Sequence, residues 1–371
     1  MQVNTGPGLS NADADGAAAR LHLLGADERE RIAWAESQGL KPYRAGQIAK
    51  WIFEKGADDF ENMTNLRADV RRRCSASAQI YRGRVTHESL AADGTAKLLI
   101  AWPDGAAVET VWIPEGRRHT ACLSSQVGCP VGCRFCASGL DGVQRNLTAG
   151  EIVEQAMHIR RLIGERGRLS NIVLMGMGEP LANYNAVIKA IRLINADTGL
   201  GIAARKITLS TVGLPSQIRR LAGEGLQINL ALSLHAPNDV LRQELIPWGR
   251  GVTIDELIDS CRYYFEKTGR EITLEYVLLD RVNNLPSHAD ALAELAGRLR
   301  CNVNLLRYNP VKGLSFVRPS GESAHAFQLR LRERGVNAQL RTSRGSEVDA
   351  ACGQLRRTAQ STPPVSTDAD D

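Results

Sequence analysis

The chain has 371 residues, 43% of them hydrophobic and 23% charged, with a net charge of +5, so it has room for one large globular domain and a small one. Eight cysteines in this length do not make a disulfide-dense secreted scaffold, and the polar Asn11-Ala12-Asp13-Ala14-Asp15 stretch does not read as an export signal. No run reaches the roughly 18 apolar residues of a membrane span, so a cytoplasmic protein with no membrane partner is expected.

In chain order, residues 1–27 are rich in Ala, Gly, Asn and Asp without periodicity and read as a disordered tail. From 28 to 79 the apolar residues Ile32, Ala33, Ala35, Ile48, Trp51, Ile52, Leu66 and Val70 recur at helical spacing. Pro42, Gly46 and Gly56 are expected to separate short helices, giving a small helical accessory domain. Its basic edge combines Lys41, Arg44, Lys50, Lys55, Arg67, Arg71, Arg72 and Arg73 with Tyr43 and Trp51. Such an edge suits an RNA backbone as well as it suits a packing cap.

Residues 80–118 change to strand patterning. Lys97–Trp102 and Ala107–Ile113 read as strands, with Asp93-Gly94 and Asp104-Gly105 as turns, which makes a short antiparallel β-ribbon. Glu109, set among Val108, Val111 and Ile113, reads from these residues as a solvent-face side chain rather than a base.

Strand His119–Leu123 then leads into Cys129-Pro130-Val131-Gly132-Cys133-Arg134-Phe135-Cys136. Three thiols at C-x3-C-x2-C spacing lie in one loop, and Gly128, Gly132 and Gly139 let the backbone wrap closely around a metal centre. Four thiolates close a zinc site or a fully ligated cluster, whereas three leave a position open. The spacing therefore points to an iron–sulfur cube with one iron free. Structural zinc would bring a second C-x2-C pair, and none follows; strained disulfides and simply buried thiols are the other readings.

Beyond the loop, strand and helix alternate. Thr148-Ala149-Gly150-Glu151 has capping-box spacing and opens a helix with Ile152, Val153, Ala156, Ile159 and Ile163 on one stripe. Strands follow near residues 171–175, 206–210, 227–234, 271–278 and 301–306, each succeeded by a helix, with a last strand near 336–341. Counting the strand before the cysteine loop, this is an α/β fold of the incomplete (βα)6 barrel type over 119–356, and residues 357–371 read as a second disordered tail. In such barrels function gathers where strands end. Here the strands end at Cys122, Gly176-Met177-Gly178-Glu179, Ser210, Ser233-Leu234-His235, Asp280 and Asn309. Any one of these alone is an ordinary turn, cap or core residue; six converging on the mouth that holds the cysteine loop are not.

These features resemble the radical S-adenosylmethionine (SAM) superfamily. A narrower resemblance lies in Val108–Pro114, Cys122–Cys129, Met175–Leu181, Ser233–Asn238 and Asp349–Leu355, which are similar to the ribosomal RNA large subunit methyltransferase N family of dual-specificity RNA adenine-C2 methyltransferases. The resemblance implies that Cys129, Cys133 and Cys136 hold a [4Fe-4S] cluster with SAM on the open iron. It implies SAM contacts at Gly178, Glu179, Ser210, Ser233, Leu234, His235 and Asn309. Cys352 corresponds to the S-methylated cysteine, Cys122 to its disulfide-forming partner and Glu109 to the proton acceptor, and SAM is used twice per turnover. Leu306-Arg307-Tyr308 departs from the Ile-Pro-Trp often found there. Implied partners are 23S rRNA in its peptidyl-transferase region, tRNA and a cytoplasmic electron donor such as flavodoxin, acting on a monomer. The alternatives are a carbon-8 methyltransferase of the chloramphenicol-florfenicol resistance type and, more distantly, an iron–sulfur protein that binds RNA without modifying it. Cys74, Cys261 and Cys301 match no motif, and the last two read as core thiols.

Overall fold

The computed structural model describes residues 20–249 and 251–355, so the expected tail at 357–371 and most of that at 1–27 lie outside the described residues. The chain divides into two compact units between Tyr81 and Arg82.

In the first unit, β1 (Leu21–His22) precedes helices α1 (Glu28–Ser37), α2 (Tyr43–Phe53) and α3 (Ala68–Ser77), and β2 (Ala78–Gln79) returns to pair with β1 in parallel. Asp27 starts α1 as one half of a capping box: its side chain accepts from Glu30 N at 2.9 Å, and Glu30 accepts from Asp27 N at 2.7 Å. Regular structure is already present at Leu21, six residues before Asp27 and inside the expected tail, and Leu23 and Leu24 are fully buried. The apolar Leu21-His22-Leu23-Leu24 cluster outweighs the small-residue composition before it. Gly46 does not separate helices either; it lies inside α2, where Ile48, Ala49, Ile52 and Phe53 form a buried face. A glycine there costs only about 1 kcal/mol, less than burial of that face returns. Of the basic edge, Lys55 Nζ sits 3.8 Å above the Trp51 ring and Arg71 pairs with Glu61 at 3.1 Å.

The second unit begins with β3 (Arg84–Leu90), β4 (Ala96–Ala101), β5 (Ala107–Glu115) and β6 (Arg118–Cys122), all antiparallel. The expected turns are there: Asp93 and Asp104 accept from the backbone N–H two residues on, at 2.9 and 3.0 Å. β7 (Gln126–Gly128) and β8 (Val143–Asn146) pair with each other and bracket the cysteine loop. Thereafter come α4 (Ala149–Ile163), β9 (Asn171–Leu174), α5 (Tyr184–Asn195), β10 (Ile207–Thr211), α6 (Pro215–Ala222) and β11 (Asn229–Ser233). They are followed by α7 (Asp239–Leu245), α8 (Ile254–Thr268), β12 (Ile272–Leu278), α9 (Pro286–Gly297), β13 (Cys301–Arg307), α10 (Gly321–Glu333) and β14 (Ala338–Arg341). The Thr148–Glu151 capping box is formed, at 3.2 and 2.8 Å.

One ten-stranded sheet runs in the order β14-β13-β12-β11-β10-β9-β6-β5-β4-β3. Pairs from β6 to β14 are parallel, so the barrel strands all deliver their ends to one side. The sheet does not close, since β14 and β3 each pair along one edge. The ribbon joins this sheet directly through Val111↔Cys122 to Glu115↔Arg118. Leu174, Leu209, Leu230, Leu232, Leu274 and Leu305 are almost completely buried, as expected of parallel strands covered on both faces. Among the described residues no helix is long and apolar enough to cross a membrane.

Candidate active site

The cysteine loop is closed by backbone. Cys129 N donates to Gly142 O at 3.0 Å, and Gly128 makes this approach with φ +79°, where a Cβ would lie 2.0 Å from that same oxygen. Only glycine fits. Arg134 N donates to Leu245 O at 2.9 Å and Ala137 N to Gly353 O at 2.8 Å, which fixes the loop against α7 and against the segment that carries Cys352. Cys129, Cys133 and Cys136 are half-buried and line one cavity. Burial pushes the Cys129 thiol up to about 12 and raises Cys133 and Cys136, and at Cys133 the two neighbouring thiols add to the rise.

The cavity wall is made by the strand ends. Gly178, Glu179, Ser210, Ser233, His235, Asn309 and Cys352 all line it together with the three cysteines. Gly178 adopts φ +101°, and a Cβ there would stand 2.7 Å from Gln126 Cβ, so the bend after β9 is pressed against the start of β7. The Glu179 carboxylate accepts from Leu181 N and Val212 N, both at 2.9 Å, while its own N–H donates to Gln126 Oε1 at 2.8 Å. This side chain ties the ends of β9 and β10 together, and burial raises its pKa. Ser210 Oγ and Ser233 Oγ are 3.1 Å apart.

His235 holds φ +57°, a strained conformation for a residue with a Cβ. Its Nδ1 accepts from Val277 N at 3.0 Å, which places the proton of the neutral ring on Nε2. Burial, then the nearby Arg242 guanidinium, lower its pKa to about 3, so the ring stays neutral at physiological pH. Asn309 donates to Cys352 O at 3.3 Å, and its buried Oδ1 has no hydrogen-bond partner. An acceptor aligned with a cavity wall in this way suits a ligand that donates.

Three site residues are placed differently. Leu234 is fully buried behind the wall, with its N–H donating to Glu275 O at 3.0 Å. Cys122 is 6% exposed, and burial first and the neighbouring Cys352 second raise its pKa. Glu109 is not on a solvent face: it is 3% exposed and forms a 2.9 Å ion pair with Lys97. The face that carries Glu109 is covered by the segment after β14, where Lys97 donates to Asp349 O at 3.2 Å, a long-range contact that strand alternation alone did not reveal.

Cys352 is an exposed thiol at the cavity mouth, although the surrounding protein, with Glu275 adding, still pushes it up to about 11. Thiolate is the reactive form. In cluster-free protein, alkylation of Cys352 is therefore expected to be slow at neutral pH and to rise about tenfold per pH unit until that value is approached. Peptide mass spectrometry across a pH series checks this, and a flat profile would contradict it.

Two residues passed unnoticed in the sequence. Arg242 on α7 is 1% exposed beside Cys133, and its Nε has no hydrogen-bond partner. A buried guanidinium in this state calls for an anion nearby, which a thiolate-bound cluster would be. Among the described residues no three His, Cys, Asp or Glu side chains gather around a single ion. A cube takes one thiolate on each of three irons and so spreads its sulfurs wider than a mononuclear site. The thiol set, the Arg242 charge and the Asn309 acceptor therefore fit a cluster with a ligand beside it. The other unnoticed residue is Lys97.

The family model of the radical SAM superfamily matches residues 123–293, and that of the ribosomal RNA large subunit methyltransferase N-terminal domain matches residues 21–80. A probable dual-specificity RNA methyltransferase RlmN of Rhodopirellula baltica is 44% identical over 352 residues, 95% of each chain. Another of that description, from Gloeobacter violaceus, is 46% identical over 335 residues, 90% of this chain and 95% of its own. The crystal structure of a radical SAM methyltransferase from Sphaerobacter thermophilus superposes with a TM-score of 0.89 at 43% identity, covering 91% of this chain and 99% of that one. With the cysteine loop at the mouth of an open parallel barrel and relatives matching along nearly its whole length, the chain belongs to the radical SAM superfamily and, within it, to the RlmN family of dual-specificity RNA methyltransferases.

Proposed function

We propose that this enzyme methylates carbon 2 of an adenosine in the peptidyl-transferase region of 23S rRNA and of the adenosine 3′ of the anticodon in some tRNAs. The observation that carries the reading is the placement of Cys352. It is an exposed thiol at the mouth of the cavity lined by the three-cysteine loop, with a second thiol, Cys122, as its electrostatic neighbour.

Carbon 2 of adenine lies between two ring nitrogens and is electron-poor, so it does not displace a methyl group from a sulfonium as an amine would. A thiolate does, and Cys352 is the group that takes the methyl first. Cys129, Cys133 and Cys136 would hold the [4Fe-4S] cluster. Bound there, cluster and SAM would supply a methyl group and, with a second SAM after reduction, hydrogen-atom abstraction. Gly178, Ser210, Ser233, His235 and Asn309 would orient SAM from the wall; Glu179 and Leu234 would contribute through backbone carbonyls, their side chains and N–H groups being committed to the fold. Cys352 then carries the activated carbon to adenine and is left joined to the RNA through it. Glu109 accepts the carbon-2 proton as the adduct gives up one electron, for which the cluster would be the acceptor; the Cys122 thiolate then attacks the Cys352 sulfur, and the carbon keeps the C–S electron pair and takes up a proton, which frees methylated RNA and leaves a disulfide.

The enzyme on this reading is a cytoplasmic monomer served by a donor such as flavodoxin. Anaerobic reconstitution with iron, sulfide, SAM, reductant and rRNA or tRNA fragments, followed by nucleoside mass spectrometry, tests it. 2-Methyladenosine is expected. 8-Methyladenosine would move the assignment to the carbon-8 enzymes, and absence of SAM cleavage would reduce the protein to a non-modifying RNA binder.

A further inference from the structure

Register places Lys97, Glu109 and Cys122 on one face of the ribbon sheet: Lys97 lies opposite Val111, Leu99 opposite Glu109, and Val111 in turn opposite Cys122. Lys97 and Glu109 are thus diagonal cross-strand neighbours. Their side chains are 8% and 4% exposed, and Lys97 Nζ stands 2.9 Å from Glu109 Oε1. The same ammonium donates to Asp349 O at 3.2 Å. Asp349 lies three residues before Cys352 and holds φ +51°, an uncommon conformation for a residue with a Cβ.

A buried ion pair is a poor device for stability alone. Taking both charges out of water costs several kcal/mol, and a well-packed apolar pair would commonly serve as well. Nor is an ammonium needed merely to anchor the 345–355 segment, which has other ties. Gly345 N donates to Asp93 Oδ2 at 3.0 Å, Ala137 N to Gly353 O at 2.8 Å, and Ser138 Oγ to Leu355 O at 2.8 Å. Lys97 touches the carboxylate and the thiol-bearing segment at once.

We infer that Lys97 is a positioning residue for the base that takes the carbon-2 proton: it orients the Glu109 carboxylate and sets it at a fixed place relative to Cys352. The inference rests on the reading of Glu109 as proton acceptor. An ammonium 2.9 Å away favours the charged form of a carboxylate, which is the form that accepts a proton. Other ionisable groups also lie on the packed elements. Cys122 on β6 and Cys352 are thiols whose pKa is raised, Glu151 of α4 is held by Arg145 at 2.9 Å, and Glu154 of α4 accepts from Arg82 N, Gly83 N and Trp102 Nε1.

The test uses the full-length, cluster-loaded enzyme in single turnovers with an RNA fragment. Lys97→Met and Lys97→Gln are compared with wild type in three readouts: S-methyl on Cys352 by peptide mass spectrometry, the amount of covalent protein–RNA adduct, and the rate of adduct release against pH. The Gln variant retains a donor for Asp349 O and keeps the test open if the Met variant fails to fold. Both are expected to acquire the S-methyl group and form adduct, but to release it about 100-fold more slowly at neutral pH. The rising limb of the release profile is expected to move to higher pH by about one unit or more, because a carboxylate that has lost its cation holds a proton more tightly. Release with an unshifted limb in a folded variant overturns the role of Lys97. Wild-type release by Glu109→Gln instead overturns Glu109 as acceptor, and the inference falls with it.

Discussion

Replacing Cys122 with alanine is expected to strand the enzyme on its RNA. Cys122 sits at the end of β6, 6% exposed, and its thiol is an electrostatic neighbour of Cys352. Cys136 of the cysteine loop also acts on Cys352 electrostatically, but it belongs to the proposed cluster ligands; of the remaining described thiols, Cys74 and Cys261 are fully buried, and Cys301 donates to Ala296 O at 3.5 Å. Loss of the sulfur costs about 1 kcal/mol of packing, so the fold survives. On the proposed mechanism, the bond between Cys352 and the methylated carbon then has no attacker. Free methylated RNA is expected to fall by about two orders of magnitude or more, the scale on which loss of one reacting group acts, while a covalent complex accumulates. Denaturing gels of anaerobic reactions with labelled RNA show either outcome; free product at the wild-type rate would end the resolving role.

The second large effect belongs to Cys352→Ala. The side chain is exposed on a turn, so the substitution should leave thermal stability within about 0.5 kcal/mol of wild type. Cluster assembly should also persist, since the three loop cysteines and Arg242 are untouched. Methylation of RNA is nevertheless expected to vanish, by about three orders of magnitude or more, because on the proposed mechanism carbon 2 receives its methyl group only through this sulfur. Reductive cleavage of SAM should continue without coupling to product. Quantifying methionine against methylated nucleoside in one reaction separates the two. Coupled product from the alanine variant would show that the methyl group never resides on Cys352.

Much of the barrel was legible because its signals are local. Thr148 and Glu151 advertise a helix start three residues apart, and the strand ends announce themselves by polar residues breaking apolar runs. The C-x3-C-x2-C loop is likewise a short-range pattern. Lys97 and Arg242 were illegible for the opposite reason. The partner of Lys97 depends on how β4 registers against β5, and periodicity within a strand does not state register. Arg242 lies on a seven-residue helix, where a basic side chain reads as solvated until Val212 O is found accepting from it. Glu109 was misread from its neighbours for the same reason as Lys97: a sheet face is buried by what lies beyond the strand. Leu23 and Leu24 show the limit of composition averaged over a long window, since the short apolar cluster at its end is buried and structured.

The pairing of β5 with β6 also decides where this protein can be cut. A fragment beginning at residue 118 would turn β6, four of whose five residues are buried, into a raw edge with apolar Ala121 and unpaired backbone along it. Such an edge recruits other strands, and the fragment would be sticky rather than soluble. Beginning at Arg82 leaves the native edge, β3, which carries Arg84, His87 and Glu88 on a strand exposed at nearly every position. The ribbon thus serves the barrel as its protective selvage, and the smallest well-behaved piece of the enzyme must keep it.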